Sequence, residues 1–88
     1  MKLYYFNPNN YDLEFFVMAE SKEDARQSLL KYLKEKINEE IKNNTKYSFY
    51  DNYLKKWEKV DIEDKSTYPN KYTLDIYEPN MVIESEIA

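Results

Sequence analysis

The sequence predicts an α+β domain in two layers, an antiparallel sheet of about four strands packed against one long and one shorter helix, in the order β-β-α-α-β-β. Three observations lead there. Residues 21–43 carry an apolar stripe at helical spacing. Segments alternating with a period of two lie on both sides of it, and each pair of them is joined by a turn with a Pro-Asn core. The chain has 88 residues, which fits a single domain, 1–88, around one core.

Residues 2–6 form the first expected strand, a short aromatic and apolar run. Asn7-Pro8-Asn9-Asn10 is the turn after it, because proline fixes φ and asparagine tolerates turn conformations. The second strand spans 12–20. Leu13, Phe15, Val17 and Ala19 share one face, and Glu14, Phe16, Met18 and Glu20 share the other. An apolar pair inside that second face marks a central strand or a face that something else covers. The long helix follows at once. Ser21 is an N-cap residue, Glu23 and Asp24 place negative charge at the positive end of the helix dipole, and Lys42 sits near the negative end. Ala25, Leu29, Leu33, Ile37 and Ile41 recur every fourth residue, Leu30 and Tyr32 widen the stripe, and Asn43-Asn44 is the expected stop.

Ser48 with Asp51 repeats a serine-to-acid start signal, and Phe49, Tyr53, Trp57 and Val60 fall at helical spacing, so a second helix is expected over 49–59. Residues 61–70 read as a loop. Strand three spans 71–78, with Tyr72, Leu74 and Ile76 alternating with Thr73, Asp75 and Tyr77. Glu78-Pro79-Asn80 turns the chain into strand four, 81–87, where Met81, Ile83 and Ile87 oppose Val82, Glu84 and Glu86.

Composition excludes several chemistries. Without glycine there is no phosphate-cradling loop or dinucleotide turn of the usual form. Without histidine the commonest general base and metal ligand are gone, and without cysteine there is neither disulfide nor thiolate. Nothing approaches a membrane span or a signal peptide, and the expectation is a soluble, cytoplasmic protein. Lysine outnumbers arginine twelve to one and asparagine is abundant, the bias of an AT-rich genome such as that of a low-GC bacterium or its virus.

Charge is divided unevenly. Residues 22–59 hold ten basic and seven acidic side chains, net +3, and the rest hold three basic and ten acidic ones, net −7, which together give the −4 of the chain. The acidic part is the expected sheet with the loop before it. Solubility explains such a surface, and so does a partner protein with a basic surface.

Asp61, Glu63 and Asp64 have the chemistry to hold a hard cation, but their spacing is not that of a calcium loop, and a solvated loop explains them. Glu84 and Glu86 alternate along a strand; acids on a polar strand face need no catalytic role. Tyr47, Tyr50, Tyr53 and Trp57 interleave with Lys46, Lys55, Lys56 and Lys59 as stacking residues on nucleic acid do, yet aromatics at helical spacing in an acidic chain belong to a core. No catalytic, cofactor-binding or metal-ligating residue is assigned, and no enzyme is expected. The candidate partner surface is an aromatic patch of Phe16, Met18 and Tyr77 on the face that the helices leave open, rimmed by Asp61, Glu63, Asp64, Glu84 and Glu86.

The opening strand, Asn7-Pro8-Asn9-Asn10-Tyr11 and the junction Phe16-Val17-Met18-Ala19-Glu20-Ser21-Lys22-Glu23-Asp24-Ala25 resemble many small phage-encoded proteins. In size, acidity and absence of catalytic residues the chain is similar to anti-CRISPR proteins, the small viral inhibitors of bacterial defence. The likeness covers the first third by pattern and the whole by composition, and it carries over no functional residue. It implies a stoichiometric inhibitor that occupies a basic or nucleic-acid-binding surface of a host CRISPR effector complex. The other expectation is a self-associating assembly module, a homodimer through a sheet edge or the Phe16/Met18 face.

Overall fold

The computed structural model describes residues 1–10, 12–43 and 48–84. Strand β1 (Lys2–Asn7) lies between β2 (Phe15–Ala19) and β3 (Thr73–Tyr77), and both pairings are antiparallel. The register places Val17, Tyr4 and Ile76 in one row and Phe15, Phe6 and Leu74 in the next, so one face of the sheet is almost wholly apolar. Helices α1 (Lys22–Lys42) and α2 (Asp51–Glu58) cover that face. Over the described residues the chain is α+β, with a three-stranded antiparallel sheet and two helices.

Ser21 caps α1 as its residue type suggests: its extended backbone lets the hydroxyl accept from the Asp24 N–H at 3.1 Å. Ala25, Leu29, Leu30 and Leu33 are buried, but the stripe outlasts the sheet. A 21-residue helix is about 32 Å long, whereas a five-residue strand spans about 17 Å. Ile41 therefore stays 59% exposed, while Tyr32, beside the buried Leu33, is exposed on the flank of the stripe. Asn43 ends the helix at φ −87°, and Asn44, the other half of the expected stop, lies outside the described residues.

Trp57 is the centre of the core. It is fully buried, meets Phe6 edge-on at 4.9 Å and Tyr72 at 5.3 Å, and its indole N–H has no hydrogen-bond partner among the described residues. Helix α2 is shorter than the expected 49–59; Ser48 takes the Tyr50 N–H in the turn before it, and Asp51 pairs with Lys55 at 3.0 Å. Arg26 joins the helices. Its guanidinium pairs with Glu23 at 2.6 Å and donates to the Trp57 and Glu58 carbonyls at the end of α2, both at 3.3 Å. Two hydrogen bonds from Arg26 and one from Gln27 pull the Glu23 carboxyl down to about 2.

The stretch expected as a loop, 61–70, is built into the core by Ile62 and contains a 3₁₀ turn, η1 (Lys65–Thr67). Strand β2 is shorter than expected because residues 12 and 13 are held in a loop: the Tyr53 hydroxyl donates to the Asp12 carboxylate and the Tyr72 hydroxyl to the Leu13 carbonyl at 2.5 Å.

The fourth strand is a correction. Met81–Glu84 lie outside the sheet, and the remainder of the expected 81–87 strand falls outside the described residues. The Met81 N–H bonds the Glu78 carbonyl at 3.1 Å across Pro79 and Asn80, with Asn80 at φ 66°. Proline first and a left-handed residue second make a type II turn. Its twist splays the flanking segments instead of pairing them as a hairpin.

Candidate functional site

Among the described residues, the helices cover one face of the sheet and leave the other open. Because side chains alternate, the other face is set by the same register: Met18, Leu3 and Tyr77 form one row, and Phe16, Tyr5 and Asp75 the next. Phe16 and Met18 are each 56% exposed, and Leu3, Tyr5 and Tyr77 are half-buried. The rings of Tyr5 and Phe16 stack in parallel with centroids 4.3 Å apart, an ordered aromatic plate in the middle of the face.

Two carboxylates border that plate. The Tyr5 hydroxyl donates to Glu14 at 2.5 Å, and the Asn7 amide donates to Asp75 at 3.2 Å. The bond to Glu14, aided by burial, pushes the Tyr5 hydroxyl up to about 12, so it is a neutral donor at any physiological pH. Both acids are oriented by neutral groups. The ion pairs among the described residues lie elsewhere, Met1 with Glu20, Lys2 with Glu78, Lys22 with Glu63, Arg26 with Glu23, Lys36 with Glu39 and Lys55 with Asp51. The plate thus carries directed negative charge that no lysine or arginine of those pairs neutralises.

The expected patch residues Phe16, Met18 and Tyr77 come together on this face. The expected acidic rim does not join them. Asp61, Glu63 and Asp64 stand on the helical side, where Glu63 meets Lys22 at 3.5 Å. Asp61 accepts the Glu63 N–H at 3.1 Å, and Asp64 caps η1 by accepting from the backbone and hydroxyl of Ser66, which lowers its carboxyl below the usual range. Those acids organise their own loop. Glu84 is exposed beyond the last turn, and Glu86 lies outside the described residues. Leu3, Tyr5, Glu14 and Asp75 were missed as site residues. Their signal was present in the alternation, which places Glu14 with Phe16 and Asp75 with Tyr77, but the partner strand that joins the two pairs is not readable from spacing.

The aromatics of the second helix resolve into core, whereas Lys55, Lys56 and Lys59 are exposed. Tyr53 and Trp57 are buried and Tyr50 packs against them, while Tyr47 lies outside the described residues. Among the described residues no three acidic, histidine or cysteine side chains gather as ligands for a metal ion, and no helix is long and apolar enough to cross a membrane. Compared with protein-family models, with curated proteins and with solved structures, the chain matches none.

Proposed function

We propose that this protein is a non-enzymatic binding module and that the uncovered face of its sheet is the contact surface. The observation that carries the reading is the Tyr5–Phe16 plate flanked by Glu14 and Asp75, two carboxylates held by neutral donors. An exposed aromatic face with directed negative charge suits a partner protein that presents apolar side chains beside arginine or lysine. Two such faces brought together in a symmetric dimer would place like charges opposite one another, so the charge favours a different, basic partner over a second copy here. The more specific form of the proposal, suggested by the likeness to small viral proteins, is an inhibitor encoded by a mobile element, acting in the host cytoplasm on a CRISPR effector or similar complex by occupying a basic, nucleic-acid-binding surface.

Photo-crosslinking in the cells that encode the protein tests this. A photoreactive residue replacing Tyr77 should give a discrete adduct that one replacing the helix-side Glu58 does not, and the adduct should weaken with salt and with Glu14→Gln/Asp75→Asn. The same adducts from both positions, or none from Tyr77, would overturn the docking surface. A nucleoprotein effector in the adduct would support the inhibitor form.

A further inference from the structure

A second surface lies at the outer edge of β2. It is one of the two edges of the sheet, and nothing among the described residues pairs with it. Native edge strands are usually guarded by charge, proline or a covering element. Strand β2 reads Phe15-Phe16-Val17-Met18-Ala19 and has none of these. Beside it runs a groove of about 290 Å³ between the strand and α1, with Phe15 and Val17 of the strand facing Ser28, Leu29 and Tyr32 of the helix. The opposite edge differs: β3 carries Asp75, and Lys65 and Tyr68 of the η1 region flank Leu74 and Asp75 there.

The same chain carries an exposed apolar segment outside the sheet. Met81–Glu84 follow the splaying type II turn, and Met81, Val82 and Ile83 are all exposed, Val82 to 93%. Their alternation is the one that predicts a strand over 81–87. The Cα radius of gyration, 14.4 Å, exceeds the roughly 12 Å of a compact chain of this length, as the overhanging helix and the departing tail require.

We propose that the segment 81–84 adds as a fourth strand to the β2 edge of a second copy of this chain. Main-chain bonds to the unpaired edge hold it. Met81 and Ile83 enter the groove against Leu29 and Tyr32, and Val82 lies beside Phe16 and Met18 on the other face. Charge agrees in part: Lys31 adjoins Tyr32 on α1, the Lys36 ammonium stands 5.6 Å from the Tyr32 ring while also pairing with Glu39 at 3.6 Å, and the segment carries Glu84. Self-association thus uses the sheet edge and does not depend on the open-face reading.

Light scattering on size-separated full-length protein over a wide concentration range is the test. The expected result is a mass rising above the 10.8 kDa of one chain. Successive N–H groups of a strand point to opposite sides, so Val82→Pro/Ile83→Pro removes at least one main-chain bond of the added strand whichever its register. This variant should stay at the monomer mass, and so should the groove variant Tyr32→Glu, both with the buried-Trp57 fluorescence of the native fold. Mixing the two should restore a species of two chains, because one supplies an intact tail and the other an intact edge. A full-length chain that stays monomeric throughout would overturn the proposal. So would association that survives both variants, or a mixture that remains monomeric; loss of association only on Tyr77→Asp would move it to the open face.

Discussion

Two of the three described left-handed residues, in a chain without glycine, should respond in opposite ways to the same substitution. Lys71 has φ 70° at the third position of the turn closed by the Tyr72 N–H and the Pro69 carbonyl at 3.0 Å. Its side chain makes none of the hydrogen bonds or ion pairs found among the described residues. A left-handed backbone costs a residue with a Cβ about 1–2 kcal/mol. Glycine relieves that but loses about 0.4–1 kcal/mol through the greater freedom of the unfolded chain. Lys71→Gly should therefore stabilise by about 0.5–1 kcal/mol, or about 3–5 °C in Tm for a domain of this size. Asn9 has φ 56° but also uses its amide, which donates to the Lys71 carbonyl at 2.8 Å and to the Thr73 hydroxyl at 3.1 Å. Asn9→Gly removes both bonds between the first turn and the start of β3, each worth about 0.5–1.5 kcal/mol, and should destabilise by about 1 kcal/mol. Urea unfolding followed by Trp57 fluorescence measures both, and the urea slope should not change. Equal shifts of the same sign in the two variants would refute the reasoning, since backbone strain would then not separate from the hydrogen bonds that offset it.

Further variants probe the rest of the structure. Leu33→Ala, at a fully buried site on α1, should cost about 2–5 kcal/mol; an unchanged melt would contradict the helix register. Arg26→Lys keeps the charge but cannot reach Glu23 and two α2 carbonyls with one fork, so a loss of about 1–2 kcal/mol is expected, and full retention of stability would show that those bonds do no work. The Glu23 carboxyl is depressed to about 2, so its contribution is present above the ordinary glutamate range and fades as pH falls towards 2. Half exposure limits it to about 1 kcal/mol, and Glu23→Gln should flatten the acid limb of the stability–pH curve by that amount. Glu14→Gln should bring the Tyr5 hydroxyl down from about 12 towards the usual tyrosine value, read by ultraviolet titration against Tyr5→Phe; an unmoved titration would remove Glu14 from the rim of the plate.

Local patterns carried much of the fold. The Ser21 cap, the buried stripe from Ala25 to Leu33 and the alternation around Phe16 are short-range features, and the structure keeps them. The failures are long-range. Strand four was expected from alternation alone, but its pairing depended on the handedness of the Pro79-Asn80 turn, which residue types do not display. Ile62 looked like loop because one apolar residue among acids has no period, and only the packing around Trp57 makes it core. For the site, alternation placed Phe16 and Met18 on one face. Which acids accompany them depended on β1 running between β2 and β3, so Glu14 and Asp75, each beside a predicted patch residue on its own strand, were passed over for acids that cap their own loop or lie beyond the last turn.

The most direct measurement of the open sheet face is a selection of random-sequence peptides or small protein scaffolds on the immobilised protein, counter-selected on Tyr5→Ala/Tyr77→Asp. Binders that need the face should carry arginine or lysine next to aromatic or aliphatic residues, weaken with salt, and lose affinity on Glu14→Gln/Asp75→Asn while tolerating Asp61→Asn/Glu63→Gln. Binders without cationic residues, or binders equally sensitive to the Asp61 and Glu63 changes, would contradict the claim that the plate between Glu14 and Asp75 is built for a basic partner.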